Sequence, residues 1–395
     1  MANTQEHLSE NIIKDIIGKM TKSHITILST EKEYVLPPGE NYISELLRII
    51  VKFCNNNSKE VKSMSLITKV PLEDDIKAGR EDEMMFFSSE ITIYSKILPL
   101  LSQLGFTQKI SPTVYHTSND PRKLLVLEDL TLLQYKMPNR LEGLDLEHCL
   151  RTIEKLAYFH AASLALYEKN PKIMDSFDRG AFFETKPLKS WTSVTFKEAI
   201  NVCIKHPNLQ KYASKMREDI LDKYRASRKL DSKLNVLNHG DFWCNNIMFQ
   251  YSENGDLNDV VFVIAKSMRF RKLMKFFFQV DYQIASFTTP FFDLHLFLAT
   301  TPNLEVKKEH TKTILCHYYE ELCKNGNIFK LKTKIPSRQE FDQEFVDKAY
   351  IGLEVKVTSL HHFKADKRED VSITDFLKMK AKEALDNVVL IMRIV

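Results

Sequence analysis

The sequence predicts an α+β protein with two lobes, a small β-rich lobe followed by a large, mainly helical one. Three observations carry this. Short apolar runs punctuated by Pro and Gly fill the first 128 residues, which is the pattern of strands and turns. After Asp129 the apolar spacing changes to the helical period and keeps it for most of the chain. One strand-rich patch, at 234–285, interrupts those helices. A β-rich block before a helical block is the α+β order, with an N-terminal lobe over 1–128 and a C-terminal lobe over 129–395.

Each element follows from its local pattern. Residues 5–20 form an amphipathic helix. Ile25 to Leu28 and Ser44 to Phe53 are strands separated by a turn at Pro37-Pro38-Gly39. Ser65 to Val70 is a further strand, stopped by Pro71. Over 80–103 the period becomes helical, with Phe86, Phe87, Tyr94, Ile97 and Leu98 as the apolar stripe. Val114 to His116 and Lys123 to Leu127 are two more strands. Helices follow at 145–168, 190–229, 304–324, 338–363 and 372–393, the last capped by Ser372.

Composition narrows the function. Apolar residues are 44% and charged residues 27% of the 395, the balance of a globular protein with a core. A net charge of +4 gives no polycation, so nucleic acid is not an expected partner. No run of about 18 apolar residues occurs, so no transmembrane span is expected. The opening Met1 to His7 lacks the basic-then-apolar pattern of a secretory signal. Cys54, Cys149, Cys203, Cys244, Cys316 and Cys323 form no CxxC pair, which points away from a zinc site and a disulfide framework and towards a cytoplasmic setting.

The stretch Val236-Leu237-Asn238-His239-Gly240-Asp241-Phe242-Trp243-Cys244-Asn245-Asn246-Ile247-Met248-Phe249 is the most informative. It holds H-x-D-x-x-x-x-N between two apolar strands. Phosphoryl transfer needs a carboxylate near the attacking hydroxyl and oxygen ligands for Mg²⁺. An Asp and an Asn five residues apart on one tight loop supply both. Asp241 is the catalytic candidate, with His239 beside it as the organiser of the loop, and Asn246 is the metal candidate. The bare pattern also fits a polar turn between two strands.

This run, together with Asp281-Tyr282-Gln283-Ile284-Ala285, Leu125 to Leu130, Leu156 to Ala162 and Gly39 to Ser44, resembles the ecdysteroid-kinase-like (CHK-kinase-like) group of insects, relatives of choline and aminoglycoside kinases. The resemblance runs from about residue 35 to 300. It implies a two-lobed, protein-kinase-like fold, with ATP and Mg²⁺ as cofactors. It also implies transfer of the γ-phosphoryl of ATP to an alcohol of a small molecule, an ecdysteroid-like steroid among the candidates.

Roles follow residue by residue from that resemblance. Asp281 resembles the second metal carboxylate, followed by Tyr282-Gln283 where protein kinases have Phe-Gly. Lys69 resembles the lysine that holds the α- and β-phosphates, and Glu90 on the next helix its ion-pair partner. Gly39, Asn41 and Ser44 belong to the phosphate-covering turn, which has one Gly and is therefore not a G-x-G-x-x-G loop. Glu128 lies in the hinge Leu127-Glu128-Asp129-Leu130, whose backbone would bind adenine. Asp293 braces the catalytic loop, and His160 reads as a satisfied core histidine.

One departure stands out. Asn246 and Asp281 lie 35 positions apart, whereas the family joins them by a strand, a turn and a strand. Removing the 17 residues 263–279 would join Val261-Phe262 to Val280-Asp281. The segment reads as translated intron. Val263 begins with GT, the three Phe codons at 276–278 are all pyrimidine, and Gln279 fits CAG. A whole number of codons keeps the frame. The other reading is a true basic insertion: Lys266, Arg269, Arg271, Lys272 and Lys275 account for the change from −1 without it to +4 with it, and such a stretch suits an anionic surface. Two rival functions stand beside the steroid kinase. One is a kinase for choline-like or xenobiotic alcohols, and the other is a pseudokinase that binds ligand without turnover.

Overall fold

The computed structural model describes residues 8–35, 44–55, 60–71, 86–120, 123–178, 219–227, 234–263 and 285–352, with isolated positions between 193 and 230. Helix α1, Glu10–Thr21, is capped by Ser9, whose side chain accepts the Ile12 amide. Strands β1 (Ile25–Tyr34), β2 (Ser44–Asn55) and β3 (Val61–Pro71) form an antiparallel meander. Strands β4 (Val114–Ser118) and β5 (Leu124–Glu128) complete a five-stranded sheet in the order β1-β2-β3-β5-β4. The turn expected at Pro37-Pro38-Gly39 lies outside the described residues.

The period-2 alternation of strands sends successive side chains to opposite faces, and both faces are used. Leu66, Val70, Leu124 and Val126 pack with Ile13, Ile16 and Ile17 of α1. Leu125 and Leu127 face the other way, into the main core. That second face receives helix α2 (Phe86–Thr92), which runs through a π turn (Ile93–Ile97) into α3 (Leu98–Gln103). The cause of the π turn is Pro99. Proline has no amide to donate four residues back and its ring crowds that carbonyl, so the helix widens just before it, with the Leu98 amide on the Ile93 carbonyl.

The remaining described residues are mainly helical. A 3-10 turn, Leu130–Leu133, leads to α4, Leu146–Lys169, whose buried residues run from Cys149 to Leu166. After α5 (Asp219–Ala226) come four short strands: β6 (Val236–Asn238), β7 (Ile247–Tyr251), β8 (Leu257–Phe262) and β9 (Ser286–Thr288). β6 pairs with β9 and β7 with β8. Helices α6 (Phe291–Thr300), α7 (Leu304–Glu309), α8 (Thr311–Ile328) and α9 (Arg338–Asp347) follow. This is the two-lobed, kinase-like α+β arrangement that the sequence predicts. The helix expected at 372–393 and most of 190–218 lie outside the described residues. Among the described residues no helix is long and apolar enough to cross a membrane.

Candidate active site

Lys69 lies on β3 and Glu90 on α2, and they meet. Lys69 Nζ is 2.8 Å from Glu90 Oε2, and both side chains are at most 1% exposed. The alternation of β3 explains the placement. Leu66, Thr68 and Val70 take one parity of the strand, which sends Lys69 to the helix-covered face, where its ammonium also lies 5.8 Å from the centre of the Phe87 ring. A lysine in so dry a place needs a counter-charge, and Glu90 supplies it.

The loop from His239 to Asn246 is built between β6 and β7. Gly240 has φ +88°, a backbone conformation open to glycine at no cost. Asp293, in the first turn of α6, accepts the His239 amide at 2.6 Å and the Gly240 amide at 2.9 Å. The Asp293 amide in turn donates to Asn238 Oδ1. Asp293 thus braces the loop, as the sequence predicts. Its Oδ2, the oxygen that accepts the His239 amide, also meets His160 Nε2 at 3.2 Å, and His160 Nδ1 meets the Tyr318 hydroxyl at 2.8 Å. His160 is the core histidine expected.

Within the loop, Asn246 Nδ2 donates to Asp241 Oδ2 at 2.6 Å and to the Asp241 carbonyl at 2.8 Å. Trp243 Nε1 donates to the same carboxylate oxygen. The two residues that the sequence pairs are therefore in direct contact. His239 is fully buried, and burial pushes its imidazole down to about 4, against a weaker upward pull from Asp293. The neutral ring accepts the Asp241 amide at its Nδ1, which is the geometry of an organiser.

At the hinge the two acidic residues divide the work. Glu128, at the end of β5, is engaged by Lys109 and by the Thr113 amide. Burial acts to raise its pKa, but these donors outweigh it and the net shift is downward. Asp129 caps the 3-10 turn through the Thr131 amide and also accepts from Arg48 Nε at 2.8 Å and Ser65 Oγ at 2.6 Å. It ties β2 and β3 to the start of the helical part.

Gly39, Asn41 and Asp281 lie outside the described residues. Ser44 is described as the first residue of β2, opposite Pro71, but not in its side chain. Two buried polar groups escape sequence reasoning. Asn238 donates to carbonyls of β6 and of the Ser286–Thr289 segment; a lone amide in an apolar strand before the loop is the signal that could have found it. Lys155 is the other, and nothing in a helix rich in Lys and Glu marks it out.

A profile of the ecdysteroid kinase-like family matches residues 38–331, the greater part of the chain. No curated protein matches.

Proposed function

Because the chain belongs to the ecdysteroid kinase-like family, we propose that it transfers the γ-phosphoryl group of ATP to a hydroxyl group of a small molecule. The single observation that carries this is the coexistence of the buried Lys69–Glu90 pair with the Asp241–Asn246 contact on the braced loop. Strand and helix supply a cation for phosphate oxygens, and the loop supplies a carboxylate and an amide within one hydrogen bond of each other. That is the division of labour phosphoryl transfer requires.

In this reading Lys69 steadies the α- and β-phosphates, and Glu90 keeps its ammonium charged and aimed. Asp241 orients the acceptor hydroxyl and receives its proton as the oxygen attacks phosphorus. Asn246 and Asp281 would hold Mg²⁺. The donor set fits: carboxylate and amide oxygens are the hard ligands that ion takes, with water and substrate phosphate filling its remaining positions. When bound, Mg²⁺ neutralises charge that develops on the transferred group. Glu128 and Asp129 fix the hinge backbone for adenine, and Gly39, Asn41 and Ser44 would cover the phosphates. The acceptor read from the family is apolar and hydroxylated, a steroid alcohol.

The 263–279 reading belongs to the same proposal. Phe262 pairs with Ile247, and the Val263 amide donates to the Asn246 carbonyl at 2.9 Å. The residue after Phe262 is thus tied to Asn246. Without 263–279 that residue becomes Val280, and Asp281 is next; in the present chain Ile264 is next, whose side chain carries no oxygen. The form lacking the segment is therefore the better catalyst. Assaying both forms with Mg²⁺, γ-labelled ATP and ecdysone tests this. Faster transfer by the shorter form supports it, and equal transfer by both makes the segment a tolerated insertion.

A further inference from the structure

Lys155 is the one buried lysine of α4, with 9% of its side chain exposed, and it is fully committed. Its ammonium donates to the Lys109 carbonyl at 2.6 Å, to the Val260 carbonyl and to Asp259 Oδ1. An ammonium has three protons, and three acceptors take them. The other oxygen of Asp259 accepts the Tyr135 hydroxyl at 2.5 Å.

Each of these partners leads towards one half of the candidate site. Lys109 lies in the irregular chain six residues after the end of α3, the helix that continues from the one carrying Glu90. Its own ammonium holds Glu128 at the hinge, and the next residue, Ile110, accepts the Phe262 amide at 2.7 Å. Asp259 and Val260 lie on β8, which ends at Phe262, one residue before Val263 and its bond to the Asn246 carbonyl. Tyr135 follows the 3-10 turn, and its neighbour Lys136 exchanges two backbone hydrogen bonds with Phe249 of β7. A single side chain therefore links the chain that follows α3, the hinge and the strand that leads to Asn246.

We propose that Lys155 is a positioning residue for phosphoryl transfer, fixing the chain that follows α3 to β8 and so setting Asn246 relative to Lys69. The proposal rests on the phosphotransferase reading. Burial lowers the Lys155 pKa, and Asp259, its carboxylate partner, opposes that shift without cancelling it. The three acceptors converge on one nitrogen, a geometry that the planar fork of arginine does not reproduce.

The test compares the full chain with its Lys155→Met variant by amide hydrogen exchange and by steady-state transfer from Mg-ATP to ecdysone. The expected result is faster exchange at Phe262 and Val263, whose amides Lys155 does not itself contact, with α8 amides unchanged. Turnover should fall about tenfold or more, as rates do for sub-ångström misplacement, with the acceptor KM within about twofold. Unchanged exchange at Phe262 and Val263, or unchanged turnover beside a lower melting temperature, would overturn it. If Lys155→Met does not fold, the double variant Tyr135→Phe with Asp259→Asn leaves Lys155 its two carbonyl contacts and should show the same pattern more weakly. A wild-type chain that moves no phosphate removes the kinase reading, and the exchange data then judge the brace alone.

Discussion

Lys69 meets Glu90 at 2.8 Å, charge to charge between a strand and a helix, whereas the loop from His239 to Asn246 is held by hydrogen bonds from several directions at once. Asp293 grips its two leading amides, Asn238 ties the strand beneath it, and Asn246 and Trp243 close on Asp241. The difference separates two tasks. The loop presents a fixed carboxylate, and its many hydrogen bonds make its shape independent of any single one. The Lys69–Glu90 pair is buried and charged, so in the proposed reading stability and function depend on the same two side chains.

The comparison is tested most severely at Asp241. Asp241→Asn keeps a polar group of the same shape beside Asn246 and Trp243, so the loop should keep its form. Turnover should fall roughly 10²–10⁴-fold, the usual worth of a positioned acid–base group, with the melting temperature nearly unchanged. A large loss of stability would mean that the carboxylate holds the loop together.

Lys69→Met should behave oppositely. It removes the cation that Glu90 meets in the core, at a cost of about 3–5 kcal/mol in stability. Adding Glu90→Gln removes the carboxylate charge and should restore most of the stability but none of the ATP-dependent transfer. Denaturant melts of both variants check this, and a double variant as unstable as the single one would show that the pair is not the origin of the loss.

Acid distinguishes the same regions. His295, in α6 behind the loop, is buried and stacked on Phe345 at 4.1 Å, with its Nε2 on the Phe345 carbonyl. Burial pushes its pKa from 6.5 down to about 3. The unfolded chain therefore binds the proton first. Stability is full above pH 6.5 and declines as pH falls towards 3, by about 1.4 kcal/mol per pH unit from this residue. His295→Asn should remove its share of that slope in thermal melts between pH 6.5 and about 4, leaving the share of His239, which burial lowers as well, and an unchanged slope would place the acid sensitivity elsewhere.

The smallest effect is expected at the link between β2 and the hinge. Arg48 is a quarter exposed but the Asp129 carboxylate it meets is buried; Ser65 and Thr131 still donate to that carboxylate without it, so Arg48→Ala should cost about 1–3 kcal/mol, less than Lys69→Met. A greater cost would make the hinge as interdependent as the catalytic loop.

Most of this architecture is legible in the sequence because it rests on periodicity and local motifs. Short apolar runs punctuated by Pro and Gly mark the sheet, and the H-x-D-x-x-x-x-N spacing marks the loop that brings its Asp and Asn together. Pairing Lys69 with Glu90 drew on family resemblance, and the strand parity of Lys69 then agrees with it. Lys155, Asn238 and the several ties of Asp129 were not legible. Their partners lie far away in sequence, 104 residues for Lys155 and Asp259 and 81 for Arg48 and Asp129. A charged residue on a helix carries no local sign of being buried. The π turn was missed for a related reason, because a proline near a helix end also suits an ordinary stop or kink.

The central claim is phosphate transfer, and the most direct measurement is label transfer from γ-labelled ATP to ecdysone. Wild type and Asp241→Asn should be run side by side with Mg²⁺, each with and without residues 263–279. Label on the steroid from the wild type, strongest in the shorter form and lost with Asp241→Asn, is the expected result. Mg-ATP binding with no label on ecdysone, choline or any other alcohol tried, in either form, would contradict the account and make the chain a ligand-binding relative of kinases.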